Sequence, residues 1–153
     1  GARGVRGMRL QPGQSVISLL VAESDQQTVL VATENGFGKR TVLADFRHSG
    51  RGTQGVRAIA DSERNGIVVG AKLVNDEDEI MLITTGGVLI RTRVAEIRGM
   101  GRATQGVTLI SLDDGEKLAG LEKIVETVGE IDAEAEGAGE VAGDMTGEPA
   151  GEE

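Results

Sequence analysis

Arginine is the residue type in this chain whose spacing could do chemistry. Arg51 and Arg102 sit in Gly50-Arg51-Gly52-Thr53-Gln54-Gly55-Val56 and Gly101-Arg102-Ala103-Thr104-Gln105-Gly106-Val107, strings 51 residues apart. A weaker copy, Ala2-Arg3-Gly4-Val5, opens the chain, and Arg3 is grouped with them. Arg40 and Arg91 share a second phase of this period, Arg47 and Arg98 a third, and Arg6 and Arg57 a fourth that Thr108 breaks. Lys39, beside Arg40, and Arg93, two residues after Arg91, complete the set of candidate cations. A guanidinium grips phosphate through two parallel hydrogen bonds, and neighbouring glycines let a backbone approach closely and donate amide hydrogens. Residues at one phase of a repeat occupy equivalent places on successive units, so repetition turns single charges into rows.

Arg40 and Arg91 have two open readings: phosphate contacts, or ion pairs with Asp45 and Glu96 inside each unit. For Arg51 and Arg102 the flanking glycines favour phosphate. Other chemistries find little support. The chain has no Cys, Tyr or Trp, one His and two Phe. His48 reads as a solvated loop residue, and no Ser–His–acid set or spaced metal ligands stand out. Gly36-Phe37-Gly38-Lys39 has the composition of a phosphate loop, but no helix follows, so a hairpin turn explains it better. The acidic turn Asp76-Glu77-Asp78-Glu79 could attract a cation; its counterpart Glu23-Ser24-Asp25 does not keep the pattern, so it reads as a solvated loop. No catalytic residue, metal site or cofactor is therefore expected in this chain. Without an aromatic row, base stacking is not the expected mode. Duplex nucleic acid held by its backbone, with little sequence readout, is.

The elements that must carry these arginines repeat as well. Thr33-Glu34-Asn35-Gly36 aligns with Thr84-Thr85-Gly86-Gly87, and Ala44-Asp45-Phe46-Arg47 with Ala95-Glu96-Ile97-Arg98. Strands are expected at Ser15–Val21, Thr28–Thr33, Lys39–Leu43, Ile67–Leu73, Glu79–Thr84 and Val88–Arg93. Short strands are expected at Val56–Ile59 and Val107–Ile110, one after each glycine motif. The turn Glu34-Asn35-Gly36 between two strand-like runs is a strong hairpin signal. Lys117–Val125 could be a strand or a frayed helix, and its phase with Val16 and Ile67 favours a strand. About four short antiparallel strands per 51 residues describe a propeller-like blade with an aliphatic core.

The formal charge of −9 hides an asymmetry. Residues 1–111 hold 14 Lys/Arg against 11 Asp/Glu, and residues 112–153 hold 2 against 14. This suits a polyanion-binding body, residues 1–125, followed by an acidic tail, residues 126–153. The tail is Gly, Ala and Glu with few large apolar groups, and disorder is expected there. No apolar run approaches the roughly 18 residues of a membrane span. A soluble, cytoplasmic protein with no membrane partner is the simplest expectation. The opening Gly1-Ala2-Arg3-Gly4 lies inside a repeat junction and reads as a cut through a longer protein.

Phe37-Gly38-Lys39-Arg40-Thr41, Glu63–Ala71, Val88–Val94 and Gly101–Val107 together resemble the C-terminal domain of bacterial DNA gyrase A over about residues 1–125. That resemblance implies an all-β pinwheel, six-bladed in the family, that bends duplex DNA around its rim. It implies a part in ATP-dependent negative supercoiling by a type II topoisomerase, with gyrase B and the rest of gyrase A as partners, close to the bacterial nucleoid. ATP and Mg belong to the holoenzyme and not to this chain. On this resemblance, Arg3, Arg6, Lys39, Arg40, Arg47, Arg51, Arg57, Arg91, Arg93, Arg98 and Arg102 are the DNA-binding candidates. Two departures stand out. The family's Gln-Arg-Arg-Gly-Gly-Lys-Gly box is not in this chain, and there is no Tyr to serve as a strand-breaking nucleophile. The match covers about two and a half blades and an acidic ending. The alternatives are a β-propeller protein-interaction platform and the equivalent domain of topoisomerase IV, whose repeats are more degenerate.

Overall fold

A computed structural model describes residues 1–125; the expected disordered tail, residues 126–153, lies outside the described residues. The chain forms seven strands: β1 (Thr28–Thr33), β2 (Phe37–Val42), β3 (Val68–Val74), β4 (Glu79–Thr84), β5 (Leu89–Arg93), β6 (Val107–Thr108) and β7 (Leu118–Lys123). Short 3-10 turns follow β2 and β5, at Leu43–Asp45 and Val94–Glu96.

Two hairpins, β1–β2 and β4–β5, form from the β-branched and aliphatic runs that flank the glycine turns. Val31 lies opposite Lys39 in the first, and Leu82 opposite Ile90 in the second. The expected Glu34-Asn35-Gly36 turn closes the first hairpin, with the Gly36 amide donating to the Thr33 carbonyl at 3.0 Å. β7 is a strand, the alternative its phase favours.

The sheets are not one repeat each. In the first the order is β3-β1-β2-β6, so three successive repeats contribute to it. In the second the order is β5-β4-β7. This exchange explains why two expected strands do not form. Ser15–Val21 stands at the phase of β3 and Val56–Ile59 at the phase of β6. Neither run finds a ladder partner among the described residues. A strand without a ladder partner leaves its backbone groups to water. Val16, Ile17, Leu19 and Val21 are accordingly exposed. No strand pairs with the outer edge of β5 among the described residues, and Leu89 and Ile90 are exposed there.

The core is aliphatic, as expected. Leu30, Ala32, Val74, Ile80, Leu82, Val94, Ile97, Ile110, Leu118 and Leu121 are buried together, with Val69, Leu109 and Leu112 against them. β4 shows how period two builds it: Ile80, Leu82 and Thr84 are buried while Glu79, Met81 and Ile83 are half-buried. Burying one such aliphatic side chain stabilises the fold by about 1.5–3 kcal/mol.

Candidate nucleic-acid interface

The second junction, residues 101–107, is built over a buried cation. Lys39 on β2 is fully buried, and its Nζ donates to the carbonyls of Gly101 at 2.7 Å and Thr104 at 2.9 Å. It also reaches Thr104 Oγ1 at 3.1 Å and the Arg102 carbonyl. An ammonium carries three protons, so four acceptors share them. The next two carbonyls are taken by other side chains. Asn65 Nδ2 donates to Gln105 O and Arg64 Nη2 to Gly106 O, each at 2.9 Å. The Arg64 guanidinium also lies 4.1 Å from the centre of the Phe37 ring. Burial pushes the Lys39 ammonium below the usual lysine value; Arg102 pushes the same way and Asp45 opposes. The expectation that Lys39 contacts phosphate is therefore corrected. Its charge faces the underside of the junction, not the solvent.

The first junction, residues 50–56, packs against the N-terminal segment by backbone bonds. Arg9 N donates to Thr53 O at 2.8 Å and Gly52 N to Gly7 O at 2.9 Å. Arg51 is exposed and makes no side-chain hydrogen bond or ion pair among the described residues. A polar groove of about 460 Å³ beside it is lined by Arg9, Gln54, Gly55, Arg57 and Asp61, among others. Arg102, by contrast, is half-buried, and its Nη1 donates to the Arg57 carbonyl at 2.7 Å.

The remaining candidates divide by environment. Arg40 is drawn inward: its side chain is 14% exposed, its Nε donates to Ile97 O at 2.6 Å, and its partner is Asp76 instead of Asp45. Arg91 bonds Glu79 through Nε at 2.7 Å, not Glu96, and Arg93 lies 3.8 Å from the same carboxylate. Arg57 pairs with Asp61 at 2.8 Å on the open surface. Arg3, Arg6, Arg47 and Arg98 are exposed and, like Arg51, without an ion pair among the described residues. Counted on the period, Arg3 falls at the phase of Gln54 and Gln105, so it is not a third member of the Arg51 row. Arg9 and Arg64 were missed because no other repeat has a cation at either phase. No group of three or more His, Cys, Asp or Glu side chains that could hold a metal occurs among the described residues.

Shared strands, a 51-residue period and glycine–arginine junctions together define an architecture that can be set against known proteins. The family model described as DNA gyrase C-terminal domain, beta-propeller, matches residues 1–23, 27–75 and 78–124. The chain belongs to the DNA gyrase C-terminal domain family. DNA gyrase A of Pseudomonas aeruginosa is 55% identical over 128 residues, covering 84% of this chain and 14% of that protein. DNA gyrase A of Escherichia coli K12 is 50% identical over 129 residues, covering 84% of this chain and 15% of that protein. The chain thus spans about one-seventh of the length of these gyrase relatives.

A solved DNA gyrase A C-terminal domain superposes with a TM-score of 0.74 at 28% identity, over 80% of this chain and 41% of that one. The C-terminal domain of DNA topoisomerase IV gives 0.73 at 25% identity, over 78% and 38%. The gyrase-type domain is therefore an all-β, propeller-like pinwheel, as the repeat implied. No helix long and apolar enough to cross a membrane occurs among the described residues.

Proposed function

We propose that this chain binds and wraps duplex DNA as a module of gyrase A, supporting ATP-dependent negative supercoiling by the holoenzyme. It supplies binding and curvature. Strand breakage and ATP hydrolysis, with its Mg, take place elsewhere in an assembly of gyrase A with gyrase B, in the cytoplasm beside the nucleoid. One observation carries the reading: Arg47 and Arg98, at one repeat phase, and Arg51, in the glycine junction, stand exposed without an ion pair among the described residues. Such groups suit phosphates presented at regular intervals by a duplex curved over successive blades. The gyrase relatives, near 50% identity, favour this over the topoisomerase IV assignment.

Fluorescence anisotropy of a short labelled duplex tests it. Affinity should fall steeply with salt, the log–log slope approaching about −0.9 for each phosphate neutralised. A salt-independent affinity, or none at low salt, overturns the proposal, and capture of a protein partner instead would point to an interaction platform. The acidic ending, with 14 Asp/Glu against 2 Lys after residue 111, competes with DNA for the same arginines. Deleting residues 126–153 should tighten binding at low salt, and an unchanged affinity would remove that competition from the account.

A further inference from the structure

We infer that Lys39 is a positioning residue for the phosphate contact at the second junction, holding the loop so that Arg102 and its neighbouring amides face the duplex. This rests on the DNA-binding function proposed above. Five of the six carbonyls of residues 101–106 accept from side chains: Gly101, Arg102 and Thr104 from Lys39 Nζ, Gln105 from Asn65 and Gly106 from Arg64. Since Lys39 and Asn65 are both buried, the carbonyls they bind point into the protein. The backbone amides of Arg102, Ala103 and Gln105 have no partner among the described residues, and Ala103 and Gln105 are exposed.

A segment with most of its carbonyl ends bound and the amides of Arg102, Ala103 and Gln105 free presents a positive face, the arrangement by which backbone amides receive an anion. The buried ammonium below adds to that potential without touching the ligand. Lys39 thus does for this loop what a mobile surface lysine could not: it fixes geometry and sign together. The first junction is the internal control, because among the described residues no lysine side chain donates to the carbonyls of residues 50–55.

A double-mutant cycle in the 153-residue chain, read by anisotropy of a short labelled duplex at low salt, tests the inference. Arg102→Ala should weaken binding about fivefold in the unaltered chain and less than about twofold in a Lys39→Met background, because the contact is already misplaced there. Arg51→Ala should weaken binding by the same factor in both backgrounds, which separates positioning from a general loss of fold. An equal Arg102→Ala loss in both backgrounds overturns the role of Lys39 and leaves DNA binding standing. No loss from Arg102→Ala in the unaltered chain also overturns the inference, because there is then no junction contact for Lys39 to position. Absent or salt-independent duplex binding by the unaltered chain overturns the DNA-binding function itself. Should Lys39→Met fail to fold, Thr104→Val replaces it in the same cycle. It removes one acceptor of the clamp and keeps the buried charge; a smaller Arg102→Ala loss supports the inference and an undiminished one overturns it.

Discussion

The two glycine–arginine junctions carry nearly the same residues and live in different surroundings. Residues 101–106 lie on a buried lysine, a buried asparagine and the β2 backbone. Residues 50–55 rest on the N-terminal segment through a few backbone bonds. A repeat copies residue types from unit to unit, while strand exchange decides what each copy packs against. The Arg51 loop is an exposed, loosely braced cation. The Arg102 loop is a braced platform in which the cation is half held already.

The largest expected contrast is between the last glycines of the two motifs. Gly55 and Gly106 both have φ near 81°, where a Cβ costs about 1–2 kcal/mol. At Gly106 that Cβ would also lie 2.6 Å from the Gly38 carbonyl oxygen, whereas at Gly55 it meets only the flexible end of Met8 at 3.3 Å. Gly106→Ala should therefore lose about 3–5 kcal/mol of stability in denaturant unfolding, and Gly55→Ala about 1. Equal losses would break the comparison. A smaller contrast sits on the strands beneath. Lys39→Met leaves the Arg102 carbonyl without a partner and takes one donor each from those of Gly101 and Thr104, and should cost about 1–3 kcal/mol. Ile90 holds the same phase on the edge strand β5 of its sheet among the described residues and is 37% exposed, so Ile90→Met should stay within about 0.5 kcal/mol. Thermal unfolding of the two variants side by side would show whether the clamp is specific to the braced junction.

Much of the fold is visible in the residues. The 51-residue period, the two hairpins, the Glu34-Asn35-Gly36 turn, the aliphatic core and the strand nature of Leu118–Lys123 all follow from alternation, turn chemistry and phase. Strand exchange does not, because it depends on which repeat supplies the neighbour, and short runs such as Val56–Ile59 and Val107–Ile110 look alike. The burial of Lys39 is hidden for the same reason. The loop that covers it lies 62 residues later in the chain, and its counterpart at the same phase is Ile90. Arg40 shows how local charge misleads: Asp45 is near in sequence, but the turn between β3 and β4 brings Asp76 to it from 36 residues away. Phase arguments locate equivalent positions well. They say nothing about the solvent exposure of each copy.

The salt dependence of duplex binding by Arg51→Ala and Arg102→Ala, measured beside the unaltered chain, tests the central claim most directly. If each arginine neutralises a phosphate, each substitution should weaken binding and make the log–log slope shallower by about 0.9. Arg51→Ala, whose side chain is free of ion pairs among the described residues, should do so with thermal stability unchanged. Slopes identical to that of the unaltered chain, with binding lost only in step with stability, would contradict the account and make both arginines structural.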